Sequence, residues 1–225
     1  GTLTNASTGT ITTLVGAGGS RTLAAQLDNQ GTVLVPYDLT LARASAAHLN
    51  SGTITTSGTA DLTVTQTGTT PSFTNTGTIT VAAGRTFAVS GGLLDLQAGL
   101  VAGYTSFLTT TGAPTVRFTT ATVQPRIGCA AGTVLPDPFV IPVGDSLRIY
   151  SGTFAPPTLT NNGTLNLEGS AVVTTALTTG AGSLLRVRGT NVTSSVNATI
   201  TNGFTNTGTL QLTALDAGYT VQLTV

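Results

Sequence analysis

Phe73-Thr74-Asn75-Thr76-Gly77-Thr78-Ile79-Thr80-Val81, then Ala82-Ala83-Gly84-Arg85, then Thr86-Phe87-Ala88-Val89-Ser90-Gly91-Gly92, spells out one complete structural unit. Ile79 and Val81 alternate with Thr78 and Thr80, which gives a strand one buried and one wet face. Residues 82–85 read as a turn, with Gly84 supplying a positive φ. Phe87 and Val89 alternate again, Gly91-Gly92 turns the chain, and Leu94-Asp95-Leu96 begins a third strand.

The opening of this unit, Asn-x-Gly-Thr followed by Ile, Leu or Val, recurs at Asn29 and Gly31, Asn50 and Gly52, Asn75 and Gly77, Asn161 and Gly163, and Asn206 and Gly208. A looser copy places Asn5 before Gly9. The glycines step by 22, 21 and 25 residues as far as Gly77, and the later intervals of 86 and 45 divide into four and two similar steps. A fixed period of this size is the mark of a solenoid, in which each repeat is one coil stacked on the last. The predicted fold class is therefore all-β: a parallel β-helix (β-solenoid) of about ten coils of roughly 22 residues. The predicted buried positions include Ile11, Val33, Ile54, Ile79, Val81, Phe87, Val89, Leu165, Leu167, Leu210 and Leu212. One solenoid segment over 1–225 is expected, with irregular coils over 100–157. There Pro114, Pro125, Pro136, Pro138, Pro142, Pro156 and Pro157 crowd together, and proline is excluded from interior strands.

The asparagine two residues before each glycine has two physical readings. Stacked on its copy in the next coil, every ~4.8 Å, it forms an amide hydrogen-bond ladder and tolerates left-handed backbone at a corner. Alternatively, each is an independent Asx turn. The ladder is the favoured reading. Four positions before the glycine the slot is apolar at Leu27, Phe73, Leu159 and Phe204, but His48 fills it in the coil of Gly52.

Charged residues make up 7% of the chain and the net charge is zero. All eight cations are arginine. No basic run points to nucleic acid or anionic lipid, and no apolar run is long enough to enter a membrane. Neither end carries a signal-peptide pattern or a polar cap, so the chain reads as a segment of a longer protein or a unit that stacks end to end.

Little here suggests catalysis. His48, the single histidine, lies in residues 39–49, which look helical, and reads as a core-slot residue. Cys129 reads as a free or intermolecular thiol in a loop spanning 128–132. Polysaccharide-cleaving β-helices need acids gathered on one face. Asp38 follows Gly31 by seven residues, Asp61 follows Gly52 by nine and Asp95 follows Gly77 by eighteen, so these are not expected to stack. Asp137 and Asp145 read as turn residues. Residues 16–20 lack the context of a phosphate loop, and no metal or cofactor motif is present. Thr10-Ile11-Thr12, Thr53-Ile54-Thr55 and Thr78-Ile79-Thr80 have the look of an ice-binding array, but Thr32-Val33-Leu34, Thr164-Leu165-Asn166 and Thr209-Leu210-Gln211 break it. The sequons at Asn5, Asn162, Asn191 and Asn197 are what a threonine-rich chain produces by chance.

In repeat style, the Asn-x-Gly-Thr coils and their Gly-x-x-(Leu/Phe)-x-Val turns resemble the right-handed β-helical stalks of filamentous-haemagglutinin-like adhesins and autotransporter passenger domains. The resemblance covers 1–99 and 159–225. It implies a right-handed, extracellular or cell-surface, bacterial, rod-like structural or adhesive part, and supplies no functional residues. The expectation is a non-enzymatic stalk or fibre module without cofactors. Its partners would be further coils or copies of itself, and a glycan or host-surface protein engaging the loops of 100–157. The alternatives are a polysaccharide-binding or polysaccharide-degrading helix, and an ice-binding one.

Overall fold

The computed structural model describes residues 1–225 and contains strands and turns but no helix. It is a parallel β-solenoid whose turns are roughly 22 residues apart. The chain forms two compact units, residues 1–125 and 126–225.

In the first unit each coil contributes a short strand to each of three faces. The first face comprises Thr2–Asn5, Gln26–Asn29, Ala47–Asn50, Ser72–Asn75, Leu93–Asp95 and Thr115–Arg117, all paired parallel. The second comprises Thr10–Thr12, Thr32–Val35, Thr53–Thr56, Thr78–Thr80, Leu100–Ala102 and Thr122–Val123. The third comprises Arg21–Leu23, Leu39–Leu41, Leu62–Thr65, Thr86–Ser90 and Phe107–Thr111. Parallel stacking places like on like, so the inward residues form columns. Val33, Ile54, Ile79 and Val101 make one, and Leu62, Phe87 and Leu108 another, all fully buried.

The second unit is built on Arg126–Cys129, Ser146–Phe154, Thr164–Val173, Leu184–Gly189 and Thr209–Ala214, paired parallel in that order. A smaller sheet runs through Phe139–Ile141, Leu159–Asn161, Leu177–Thr179 and Phe204–Thr205. Val196–Ile200 pairs with the end of Thr164–Val173 and with Val221–Thr224. Bulges between Ile127 and Gly128 and between Ile149 and Ser151 shift the register. A bulge bends the strand and re-aims the residues beside it.

Several expectations need correction. Leu210 and Leu212 are 40% and 56% exposed, because Thr209–Ala214 has the core-side neighbour Leu184–Gly189 on one edge only. Ile11 is half-buried for the same reason, its strand being paired only with Thr32–Val35. Residues 39–49 are not helical; they comprise Leu39–Leu41, a turn and the start of Ala47–Asn50. Within 100–157 the coils continue, with strands over about half of the residues, and the longest stretch between strands is 130–138. The prolines lie just outside strands, where no ladder N–H is needed: Pro138 before Phe139–Ile141, Pro142 after it, Pro157 shortly before Leu159–Asn161. Cys129 is the last residue of a strand and is buried.

Candidate functional site

Asn5, Asn29, Asn50 and Asn75 occupy one register column at the corner between the first two faces of the first unit. Each Nδ2–H donates to the Oδ1 of the next asparagine, at 2.7 Å in all three steps. Further Nδ2 bonds reach the carbonyls of Thr32, Thr53 and Thr78. Asn29, Asn50 and Asn75 are fully buried. The amide dipoles all point one way along the stack, so each bond polarises the next. None of these asparagines has a positive φ, so their role is the ladder and not left-handed backbone. The column ends at Leu96, the residue after Asp95.

The second unit has no such ladder. Asn161 is stacked between Ile141 and Thr179, and its Nδ2–H donates to the Leu184 carbonyl. Asn206 is exposed and donates locally to the Gly208 carbonyl. The repeat glycines behave alike in both units. A Cβ on Gly52 would fall on the Gly31 carbonyl oxygen, and one on Gly77 on that of Gly52. Gly31 approaches the Gly9 carbonyl, Gly163 that of Pro142 and Gly208 that of Ser183 in the same way. The glycine is there because backbone passes over backbone, not for its φ.

His48 is buried between Leu27 and Phe73, its ring centroid 6.3 Å from that of Phe73. Its Nδ1 accepts the Leu27 N–H at 3.0 Å, and Gln26 Oε1 accepts the Ala47 N–H, so two side chains replace ladder bonds here. Burial holds the imidazole pKa below its usual value. A proton on Nδ1 would oppose the Leu27 N–H. The unfolded chain takes up that proton near pH 6.5 and the folded chain does not, so the contribution to stability is full above pH 6.5 and is lost as pH falls. Urea midpoints measured from pH 7 to 4 are expected to fall less steeply in His48→Leu than in the parent chain.

Burial pushes the Cys129 thiol up to about 12. The reactive thiolate is therefore scarce, and alkylation at pH 8 is expected only after unfolding. The sign for stability is opposite to that of His48. Its contribution is present below the unfolded value of 9 and declines by about 1.4 kcal/mol for each pH unit as pH rises toward the folded value. Labelling and denaturation across pH 8–11 check both.

Two ionic clusters were not legible in the spacing. Asp38 and Asp61 are neighbours after all: Leu39 pairs with Leu62, and Asp38 Oδ1 accepts the Asp61 N–H at 2.8 Å. Asp61 in turn forms a two-point ion pair with Arg85, at 3.1 and 3.2 Å, and accepts the Thr86 N–H. Their offsets from the repeat glycine differ because the intervening turns differ in length. In the second unit Glu168, fully buried, bridges Arg126 at 2.6 Å and Arg188. These carboxylates are committed to guanidinium and backbone N–H groups. No group of three or more His, Cys, Asp or Glu is placed to hold a metal ion.

A cavity of about 290 Å³ opens at the first coil, lined mainly by Ile11, Leu14, Leu23, Leu27, Val33 and Leu39. It contains no acid, cysteine or histidine; Arg21 at its edge donates to the Leu14 and Gly19 carbonyls and lies 4.8 Å from the Tyr37 ring centre. On the second face, Thr10, Thr32, Thr53, Thr78 and Thr122 share a column that only Leu100 interrupts. The threonine array is thus more continuous in the first unit than the Thr-x-Thr triplets alone imply, although its companion column mixes Thr12, Thr55 and Thr80 with Leu34 and Ala102. Comparison with protein-family models, curated proteins and solved structures finds no match. The class defined is a β-solenoid repeat module.

Proposed function

We propose that this chain is a rigid structural and adhesive module of an extracellular, cell-surface or secreted bacterial stalk or fibre. The observation that supports this reading most is the buried asparagine ladder. It joins successive coils of the first unit by side-chain bonds beside the backbone ladder. Such a stack resists bending and holds an outer surface at fixed spacing. The half-paired strands Thr10–Thr12 and Thr209–Ala214 are edges on which further coils, of this polypeptide or of a second copy, add. The ionic groups serve the coil rather than a reaction, and the module is not an enzyme. Electron microscopy of the intact native material is the test: a fibre or rod of constant width is expected, and discrete globular particles would reject the reading. Incubation with acidic polysaccharides is expected to release neither reducing ends nor unsaturated uronides.

A second reading, ice binding, draws on the threonine column of the first unit. Thermal hysteresis of a freezing solution tests it, and Thr53→Leu with Thr78→Leu would abolish any such activity.

A further inference from the structure

The first face of the first unit is not evenly stitched. Around the coil of Gly52 the strands pair from their first residues: Thr2 with Gln26 and Leu3 with Leu27 on one side, Ala47 with Ser72 and His48 with Phe73 on the other. Between Gln26–Asn29 and Ala47–Asn50 the backbone register holds only Asp28 to Leu49 and Asn29 to Asn50. The strand starts at 26–27 and 47–48 are joined through side chains instead. Gln26 Oε1 accepts the Ala47 N–H and His48 Nδ1 accepts the Leu27 N–H, both at 3.0 Å. Of these two bridges only the imidazole titrates, and a proton on Nδ1 cancels its bond.

Because Nδ1 accepts, the neutral ring carries its hydrogen on Nε2, which is buried and donates to nothing. A second proton would aim an Nδ1–H at the Leu27 N–H and set a charge among apolar groups. No carboxylate answers that charge. In the nine strands of the coils of Gly31, Gly52 and Gly77 the one formally charged residue is Asp28. Alternation with the buried Leu27 and Asn29 puts Asp28 on the outer face. Beyond the strands, Asp38 accepts the Asp61 N–H, Asp61 pairs with Arg85, and Arg43 is exposed in the turn before Ala47.

We propose that this seam is acid-operated: proton uptake by His48 parts residues 26–27 from 47–48, and the parting stops at the Asn29–Asn50 step. At that step the 2.7 Å amide bond, and the bonds from the Ser51 and Gly52 N–H groups to the Asn29 carbonyl, do not titrate. One corner therefore opens while the two coils stay stacked on their other faces. The open seam takes up a proton near the ordinary imidazole value of 6.5 and the closed seam does not. Each pH unit below that value favours opening about tenfold. Such an opening exposes a few residues and leaves the rest of the coil folded. The device gives the module one point of acid-sensitive flexibility, and it stands whether or not the chain is a stalk.

The test is amide hydrogen exchange of the full 225-residue chain, read residue by residue by NMR from about pH 7.5 to about pH 4.5. Protection is taken relative to the unfolded chain at the same pH, which removes the pH dependence of exchange itself. Over the two pH units below 6.5, protection at Leu27 and Ala47 is expected to fall about a hundredfold. Thr53 and Thr78, whose N–H groups bond to the Gly31 and Gly52 carbonyls at the next corner, are expected to hold theirs. His48→Gln keeps an acceptor for the Leu27 N–H but no titrating group, and is expected to flatten the fall at both amides. Constant protection at Leu27 and Ala47 would overturn the proposal. A fall shared by Thr53 and Thr78 would overturn it too, since acid would then be acting on the whole coil. An unchanged slope in His48→Gln would assign the trigger to another group and sink the role of His48. Should that variant not fold, the comparison of Leu27 with Thr53 in the parent chain decides alone.

Discussion

Glu168→Gln is expected to lower the stability of the second unit by about 3–5 kcal/mol, the usual cost of removing one partner from a buried ion pair. Glu168 is fully buried and Arg126 is only 4% exposed, so the guanidinium cannot turn to solvent when the carboxylate goes. Arg188, bonded to the other carboxylate oxygen, loses its anchor in the same step. Glutamine keeps the shape and one acceptor, which makes the loss electrostatic and not a packing defect. The triple replacement of Arg126 and Arg188 by Met with Glu168 by Leu removes all three charges together and is expected to be near neutral, because desolvating a buried pair offsets most of its attraction. Urea denaturation of the three proteins measures both effects. Equal stability of Glu168→Gln and the parent chain would show that the cluster is solvated.

The second large effect falls on the asparagine ladder. Asn50→Ala breaks the bonds from Asn29 and to Asn75 at once. It strands one buried donor and one buried acceptor, at about 1–3 kcal/mol each. Asn50→Asp is expected to be worse at neutral pH. Aspartate still accepts from Asn29, but cannot donate to Asn75 Oδ1 or to the Thr78 carbonyl, and its charge is fully buried against two oxygens. Acidification should partly rescue Asn50→Asp, since a protonated carboxyl regains one donor. Asn206→Ala serves as the contrast. Asn206 is exposed and bonds only to the Gly208 carbonyl, so a change within about 0.5 kcal/mol is expected. Denaturation midpoints for the three variants decide whether the repeat asparagine acts as a ladder or as separate local turns; equal effects at Asn50 and Asn206 would exclude the ladder.

The two clusters that shape these expectations differ in how visible they were from residues alone. Asn29, Asn50 and Asn75 announced themselves through a shared offset from Gly31, Gly52 and Gly77, and identical offsets become stacked positions when the backbone repeats. The same rule misled at Asn161 and Asn206, whose column neighbours Ile141 and Thr179 carry no amide. It also failed for Asp38 and Asp61, because turns of unequal length bring different offsets into one register. Arg126, Glu168 and Arg188 are separated in sequence by 42 and 20 residues, and two bulges realign the strands that carry them. No motif marks such a meeting.

Alternation of apolar and threonine residues, and glycine at a fixed period, determined by themselves that the strands are parallel and stacked and that Ile54, Ile79, Phe87 and Leu165 are buried. Those features are local and repeated, and repetition of a local rule is enough to build a coil on a coil. Only the tertiary structure decided which polar groups meet across coils, that Leu210 and Leu212 lie open, and that arginines gather over Glu168. These depend on register, turn length and the presence of a neighbour on both sides, which are sums over many residues and are written in no single one.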